Sequence, residues 1–148
     1  MRAVGFDLLF LYPANAFIPN YETKFLQALR RNKERIVIGR TGTLLPARYF
    51  SIAIGARSNP DAVAAFDVEP DTDGVLRTIG RLVSDKDGNA VTGLAAALVK
   101  AAGAGPMPDQ VRLAPRRHLE ALEHYSLIDV LQCADQQPDL VREVFAGR

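Results

Sequence analysis

The sequence predicts an α+β fold, with a small antiparallel or mixed sheet of about four strands, a covering of helices and a helical C-terminal section. Segments with strand-like apolar patterns all lie before residue 85. A strong turn signal, Asp85-Lys86-Asp87-Gly88-Asn89, then leads directly into an Ala-rich run that favours a helix. Beyond residue 115 the sequence shows only helical periodicity and helix start signals.

The totals describe an ordinary globular chain that is expected to form a single domain over residues 1–148. A hydrophobic share of 48% and a charged share of 24% exclude disordered and collagen-like classes. The lone Cys133 cannot form an internal disulfide, and it fits a reducing compartment. Asp7 interrupts the apolar N-terminal run, and no stretch approaches the roughly 18 apolar residues of a membrane span. We therefore expect a cytoplasmic protein with no membrane partner.

The first sixty residues predict strands and a helix. Residues 3–11 are apolar at both parities apart from Asp7, a pattern that suits a central strand. Asn20 is placed to cap a helix over residues 21–33, which ends in basic residues that favour the helix dipole. Residues 35–40 and 48–55 read as two further strands, forming an antiparallel pair.

The middle of the chain predicts a short helix, an acidic loop and an ambiguous segment. Asn59 and Pro60 indicate a helix start, with the helix reaching about Phe66 and followed by an acidic loop over residues 67–74. Residues 75–84 have apolar spacing that fits a helix, yet Gly80 and the turn that follows favour a strand. We adopt the strand because it gives the sheet a fourth member, while the helix remains the alternative.

The second half predicts four helices. Thr92 can cap a helix over residues 93–102, which Gly103 ends. A helix is expected over residues 116–124, and Ser126 with Asp129 resembles a capping box at the start of the next one. Pro138 stands where the first residue of a last helix would lie.

An arginine-rich segment is the candidate ligand site. Residues 1–60 carry nine basic and three acidic residues, whereas residues 61–73 carry five acidic residues and no basic one. Guanidinium groups offer planar two-pronged donors to phosphate or carboxylate, and five lie between residues 30 and 48: Arg30, Arg31, Arg35, Arg40 and Arg48. The alternative is that they are solvated surface cations. The nearby glycines lack the spacing of a nucleotide-binding loop.

Other chemistry-bearing residues have simpler interpretations. Asp85, Asp87 and Asn89 match the start of a calcium loop, but Ala90 and Ala96 replace its glycine and its bidentate glutamate, so a polar turn is expected. Asp7 on a buried strand needs a partner, unless it faces a cleft.

Two features of the C-terminal section also have simpler interpretations. Arg116, Glu120 and His124 form a ladder with helical spacing that suits surface pairing, and His118 lies on another face. Cys133 is expected to be packed and inert. We predict no metal and no cofactor.

These observations favour a non-catalytic binding or assembly protein of a bacterial cytoplasm. It would self-associate through the Ala-rich helix or the last helix, or bind another protein. The alternative is a small enzyme or ligand-binding protein that acts on an anionic metabolite through the five arginines. A further and weaker alternative is nucleic-acid binding by the same residues, because the formal net charge is only +1. Whether the chain is an enzyme is left open.

Overall fold

The structure, a computed structural model, describes residues 3–14, 17–113 and 125–145. The chain divides into a larger unit, Ala3–Leu113, and a smaller unit made of Met1–Arg2 and Ala114–Arg148. The expectation of a single domain stays a prediction.

The larger unit alternates short strands with helices. Its described elements are, in order, β1 (Val4–Phe6), α1 (Thr23–Arg31), β2 (Ile36–Arg40), α2 (Arg48–Ala53), a 3₁₀ turn (Pro60–Ala62), β3 (Val63–Ala65), β4 (Thr78–Gly80), β5 (Leu82–Ser84), β6 (Ala90–Thr92), α3 (Leu94–Ala101) and β7 (Gln110–Arg112). The predicted α+β class is confirmed. Helices α1 and α3 confirm the helices expected over residues 21–33 and 93–102. The predicted caps Asn20 and Thr92 are wrong, because the capping positions are Glu22 and Gly93 and neither makes a side-chain cap hydrogen bond.

Three strands form a parallel sheet with β2 in the middle. The central position predicted for residues 3–11 is therefore wrong, because β1 covers only Val4–Phe6 and is an edge strand. β1 pairs with β2 at Val4 and Ile36, and β2 pairs with β3 at Ile38 and Val63. The other strands form two antiparallel pairs, β4 with β7 and β5 with β6. One isolated parallel bridge joins Ala65 to Gly93, just before α3. The predicted strand content is therefore spread over three small sheets.

The parallel sheet is buried on both faces because successive side chains of β2 point in opposite directions. Ile38 packs with Leu29 of α1 and Phe50 of α2 on one face. Val37 packs with Ala64 and Ala97 on the other face, where α3 lies. The larger unit thus has a helix layer on each side of its parallel sheet.

Four phenylalanine rings fill the face that α1 and α2 cover. Phe10 lies at the centre, with ring centroids 5.8 Å from Phe6, 5.5 Å from Phe25 and 4.9 Å from Phe50. Such pairs stabilise a core beyond the area they bury, by about 0.5–1.5 kcal/mol each. The aromatic residues of the N-terminal segment therefore connect the first strand to both helices.

The strand predicted over residues 48–55 is wrong, because Arg48–Ala53 is the helix α2. Phe50, Ala53 and Ile54 are buried at helical spacing. Ile52, which the strand pattern placed beside Phe50 and Ile54, is 61% exposed. Alternation and helical periodicity overlap over so short a run, and the sheet face that needs covering selects the helix. The expected antiparallel pair with residues 35–40 is wrong for the same reason.

The short helix predicted up to Phe66 is also wrong beyond its first turn. Pro60 begins a 3₁₀ turn, and the chain then extends as β3 along the edge of β2. A short apolar run does not distinguish a buried strand from a helix, and here pairing with β2 decides. Residues 75–84 form strands and not a helix, as two strands, β4 and β5, that meet at Arg81. The expected fourth member of the N-terminal sheet is wrong, because β4 pairs with β7 and β5 pairs with β6.

The smaller unit contains two described helices, α4 (Leu127–Gln136) and α5 (Pro138–Phe145). Ser126 caps α4, since its hydroxyl accepts a hydrogen bond from the Asp129 amide at 3.5 Å. Pro138 is the first residue of α5, as its sequence position predicts. The helix predicted over residues 116–124 lies outside the described residues. Among the helices that the structure describes, none is long and apolar enough to span a membrane.

Gly39 leaves room on β2 for the ring of Phe66. A Cβ atom at Gly39 would lie 2.5 Å from Cδ1 of Phe66 and 3.0 Å from the carbonyl oxygen of Phe6. The second of these atoms is backbone and cannot rotate away. β2 therefore requires a glycine at position 39, where the ring of Phe66, the first residue after β3, comes close to its backbone.

Replacing Gly39 by alanine should lower the free energy of unfolding by about 1–3 kcal/mol, because the added methyl group overpacks this contact. Urea denaturation would measure the change. Gly105→Ala is the matched control, since a Cβ there meets nothing within 4 Å. Equal stability of the two variants would contradict the tight contact between Gly39 and Phe66.

Glu22 stabilises the long connection between β1 and α1 through hydrogen bonds. Its side chain is buried, and Oε1 accepts hydrogen bonds from the Ala14 amide at 3.0 Å and the Tyr49 hydroxyl at 3.1 Å. Burial, with the hydrogen bond to Glu22 and its negative charge, raises the pKa of Tyr49 to about 12. The folded protein therefore holds the Tyr49 proton more tightly than the unfolded chain does.

Because the folded pKa of Tyr49 is raised, its contribution to stability is complete below about pH 10 and is lost as pH rises towards 12. The wild type should lose up to about 1.4 kcal/mol of unfolding free energy per pH unit in this range relative to Tyr49→Phe. Urea denaturation between pH 9 and 11 would measure this loss. Tyr21→Phe, at a position 66% exposed, is the control and should behave like the wild type. Parallel pH curves for wild type and Tyr49→Phe would disprove the assignment.

Candidate functional site

A cleft of about 310 Å³ lies at the carboxyl edge of the parallel sheet, and we call it the carboxyl-edge cleft. Asp7 follows β1 directly, and Phe66 and Asp67 follow β3 directly. In open sheets of parallel strands, ligands bind outside the carboxyl ends, where the connecting loops diverge. The position of this cleft is therefore that of a ligand site.

About half of the accessible lining of the carboxyl-edge cleft is apolar and half is polar. The apolar walls come from the end of β3, the two short antiparallel pairs and the start of α3, and include Ala65, Phe66, Ile79, Leu82, Val83 and Leu94. Thr78 and Gln110 add neutral polar groups. Small-molecule sites combine such apolar surfaces with a few polar groups that orient the ligand.

Three carboxylates, Asp7, Asp67 and Glu69, line the same cleft. Asp67 is half-buried, and its Oδ2 accepts a hydrogen bond from the Gly42 amide at 2.8 Å. The exposed side chains of Asp7 and Glu69 form no hydrogen bond or ion pair with residues that the structure describes. No lysine, arginine or histidine is among the described lining residues, so the side chains give the cleft a negative charge.

The amino end of α3 contributes the opposite polarity. Gly93, Leu94 and Ala95 line the cleft, and Gly93 caps the helix without a side-chain hydrogen bond. The first amides of a helix carry a partial positive charge. The cleft therefore has carboxylates from the β1 and β3 loops and a weakly positive helix end.

The connection after β2 links the cleft to the turn between β5 and β6. The Gly42 amide donates to Asp67, and the Gly42 carbonyl accepts from the Lys86 amide at 3.1 Å. Nη2 of Arg40 lies 3.9 Å from Oδ2 of Asp85 on that turn. A movement of Asp67 would therefore disturb the hydrogen bonds of Gly42 with both Asp67 and Lys86.

The turn over residues 85–89 explains the calcium-like sequence signal. Asp85 Oδ1 accepts from the amides of Asn89 at 2.9 Å and Asp87 at 3.0 Å, and these bonds, the Asn89 bond foremost, lower the pKa of Asp85. Gly88 adopts a φ of +79°, which closes the turn. Among the described residues, no group of three or more His, Cys, Asp or Glu is placed to hold a metal ion.

The five predicted ligand-binding arginines lie at two edges of the sheet. Arg30 and Arg31 end α1, and Arg35 immediately precedes β2. Arg40 ends β2 and Arg48 begins α2, both towards the carboxyl edge. Arg35 and Arg40 lie at opposite ends of β2, about 16 Å apart in extended chain. The structure therefore does not bring the five arginines together. Anion binding by these arginines stays a prediction.

The acidic loop carries its own counter-charge. Arg77 donates to Asp71 at 2.8 Å and to both oxygens of Asp73 at 2.9 Å and 2.7 Å. These hydrogen bonds from Arg77 are the main cause of the lowered pKa of Asp73. Arg77 therefore pairs with two of the four carboxylates of the loop, Asp71 and Asp73.

A second cavity, of about 290 Å³, lies at the amino edge of the sheet and has its charges paired internally. Asp61 accepts hydrogen bonds from Lys100 at 2.5 Å and from the Thr92 hydroxyl at 2.6 Å. The Lys100 bond, followed by the Thr92 bond, lowers the pKa of Asp61. This arrangement ties the 3₁₀ turn to β6 and α3.

Of the three carboxylates that line the cleft, the sequence indicates only Asp7 as a candidate. Asp7 was expected either to have a partner or to face a cleft, and it lines the carboxyl-edge cleft. The sequence does not place Asp67 and Glu69 at the cleft, because residues 63–65 fit the predicted helix and only the structure shows that they form β3. Half-buried Cys133 lines an apolar cavity of about 180 Å³ between α4 and α5. The ladder of Arg116, Glu120 and His124, with His118, lies outside the described residues.

Comparison with known proteins gives one match. No curated protein matches the chain, and no solved structure does. The model of the CHASE2 domain family matches residues 1–148, which is the whole of the sequence. The chain therefore belongs to the CHASE2 domain family.

Proposed function

We propose that this chain is a sensory domain that binds a small molecule in the carboxyl-edge cleft and performs no catalysis of its own. The position of the cleft, outside the carboxyl ends of β1 and β3, carries this proposal. Family membership supports it, because CHASE2 domains are sensory.

The family also bears on where the domain works. CHASE2 domains are usually periplasmic sensor domains, which supports a place outside the cytoplasm. The cytoplasmic location expected from the sequence stays the alternative prediction.

The contacts around Asp67 supply a route for a signal. A ligand that hydrogen-bonds to Asp67 binds the same carboxylate that accepts from the Gly42 amide. Gly42 is bonded to Lys86 on the next turn, so a change at Asp67 alters the balance of both contacts. In this proposal, binding selects among arrangements of the β2 connection, in proportion to the difference in affinity for each.

A bulky side chain in the cleft should abolish ligand binding without unfolding the helix. Ala95 lies in the first turn of α3 and lines the cleft, and leucine has a high helix propensity. A small-molecule library screened by thermal shift should contain ligands that stabilise the wild type and not Ala95→Leu. Stabilisation of about 2.7 kcal/mol is expected at a ligand concentration of 100 Kd.

Ala104→Leu, at an exposed position outside the cleft, is the matched control and should bind normally. Binding that survives in Ala95→Leu would contradict the carboxyl-edge cleft as the site. Stabilisation by inorganic phosphate or by a polynucleotide that Arg30→Glu and Arg40→Glu remove would instead support the arginine-based alternatives.

A second candidate function is association through the connection between β1 and α1. Residues 8–21 contain no charged side chain, and five large apolar residues there are at least 55% exposed: Leu8, Tyr12, Phe17, Ile18 and Tyr21. An exposed apolar patch of this kind marks an interaction surface. The Ala-rich helix is less suited to association, because Ala96 and Ala97 are buried within the larger unit.

The pair of substitutions Tyr12→Ser and Phe17→Ser should raise the concentration needed for association by about tenfold or more, because two large aromatic side chains leave the contact. Sedimentation velocity over a dilution series would measure this. Ile52→Ser, which removes another exposed apolar residue on α2, is the control and should change little. A wild type that stays monomeric at every concentration would refute association through this connection.

A further inference from the structure

We infer that the ligand of the carboxyl-edge cleft is a compact organic ammonium ion, that is, a small amine with an apolar carbon chain. This inference rests on the proposed function and names the class of molecule that the same cleft would select. It follows from the charges that line the cleft, from the position in which Asp67 is held, and from the apolar walls.

The charge of the lining favours a cation. Asp7, Asp67 and Glu69 face the cleft, and no described lining residue is basic. The nearest arginines along the chain are engaged elsewhere. Arg40 lies by Asp85, Arg77 binds the acidic loop, and Arg81 lies 2.6 Å from Asp109. A cationic ligand would therefore meet three carboxylates, and an anionic ligand would be repelled.

Asp67 is held in place before any ligand binds. The Gly42 amide takes one lone pair of its Oδ2, which fixes the orientation of the carboxylate while leaving further acceptor capacity on both oxygens. An ammonium group has three donors and can bind such a carboxylate without reorganising it. Asp7 and Glu69, which also line the cleft, supply additional acceptors.

The apolar half of the lining favours a carbon-bearing cation over a hydrated metal ion. The ring of Phe66, kept in place by its contact with Gly39, lines the cleft together with Ile79 and Leu94. An aromatic ring stabilises an adjacent cation, and the aliphatic side chains favour the carbon chain. A volume of about 310 Å³ is near the lower end for small-molecule sites, so the ligand is small.

The amino end of α3 determines which amines fit best. Its partial positive charge faces the same cleft, beside Gly93 and Leu94, and favours an anionic group. An α-amino acid could place its ammonium group at the carboxylates and its carboxylate at the helix. The ammonium group is the chemistry shared by simple amines and amino acids.

Isothermal titration of the intact chain with three probes of matched carbon chain, and with leucine, tests the inference. Butylammonium should bind, and butanol and butyrate should bind at least about tenfold more weakly, because they lack the positive charge. Binding should weaken as salt is added, since the carboxylates are partly exposed. Leucine that binds more tightly than butylammonium would identify the helix end as a carboxylate site, and leucine that binds more weakly would identify a simple amine.

The variant with Asp7→Asn and Glu69→Gln should weaken butylammonium binding by about fivefold to tenfold, as expected for two exposed charge pairs. Neither side chain has a partner among the described residues, so folding should be unaffected. Asp67→Asn should also weaken binding, while its amide oxygen can still accept from Gly42. Asp87→Asn, which makes the same charge change on the turn outside the cleft, should leave the affinity within about twofold.

Each failure has a distinct meaning. Equal binding of butanol, or tighter binding of butyrate, overturns the ammonium inference. Library ligands that lack an ammonium group and that Ala95→Leu excludes also overturn it, while leaving the proposed sensory function intact. If no library member binds the wild type in a way that Ala95→Leu prevents, both the inference and the proposed function fail.

Discussion

The burial of β2 on both faces is the constraint on which the larger unit depends. Val37 and Ile38 are 2% and 0% exposed, and each packs against a different helix layer. Complete burial of one such side chain contributes about 1.5–3 kcal/mol, and the flanking strands gain their pairing only through this strand. Because β1 and β3 run parallel to β2, the chain leaves all three at one edge. The carboxyl-edge cleft is a consequence of that arrangement.

The charges around this edge fall into satisfied and available groups. Arg77 pairs with Asp71 and Asp73, Asp85 closes its turn, and Asp61 is bound by Lys100 and Thr92. The carboxylates of the cleft differ, since Asp67 has one amide partner and Asp7 and Glu69 have none among the described residues. Charges with local partners stabilise loops, whereas charges that face a cavity remain available to a ligand. This difference favours the carboxylates of the cleft, and not the five arginines, as ligand-binding groups.

Errors in the sequence-based predictions have one physical origin. Residues 48–53 and 63–65 are short apolar runs in which strand and helix patterns are nearly equivalent. Phe50 and Ala53 become helical because they cover β2, and Ala64 becomes part of a strand because it pairs with Gly39. If residues 63–65 are assigned to a helix, the side chains that follow them cannot be placed at the carboxyl edge of the sheet. The carboxylates that follow β3 are therefore not predicted to lie at the cleft, because their position depends on the topology of the sheet.

Local physical chemistry in the sequence determined the α+β class, α1, α3, the cap at Ser126, the start of α5 at Pro138 and the polar turn that follows Asp85. Each depends on periodicity, capping or turn preference within a few residues. Tertiary structure alone decided the parallel order of β1, β2 and β3 and the gathering of Asp7, Asp67 and Glu69 around one cleft. Pairing between distant segments settles such features, because its energy depends on burial and hydrogen bonding that no local pattern records.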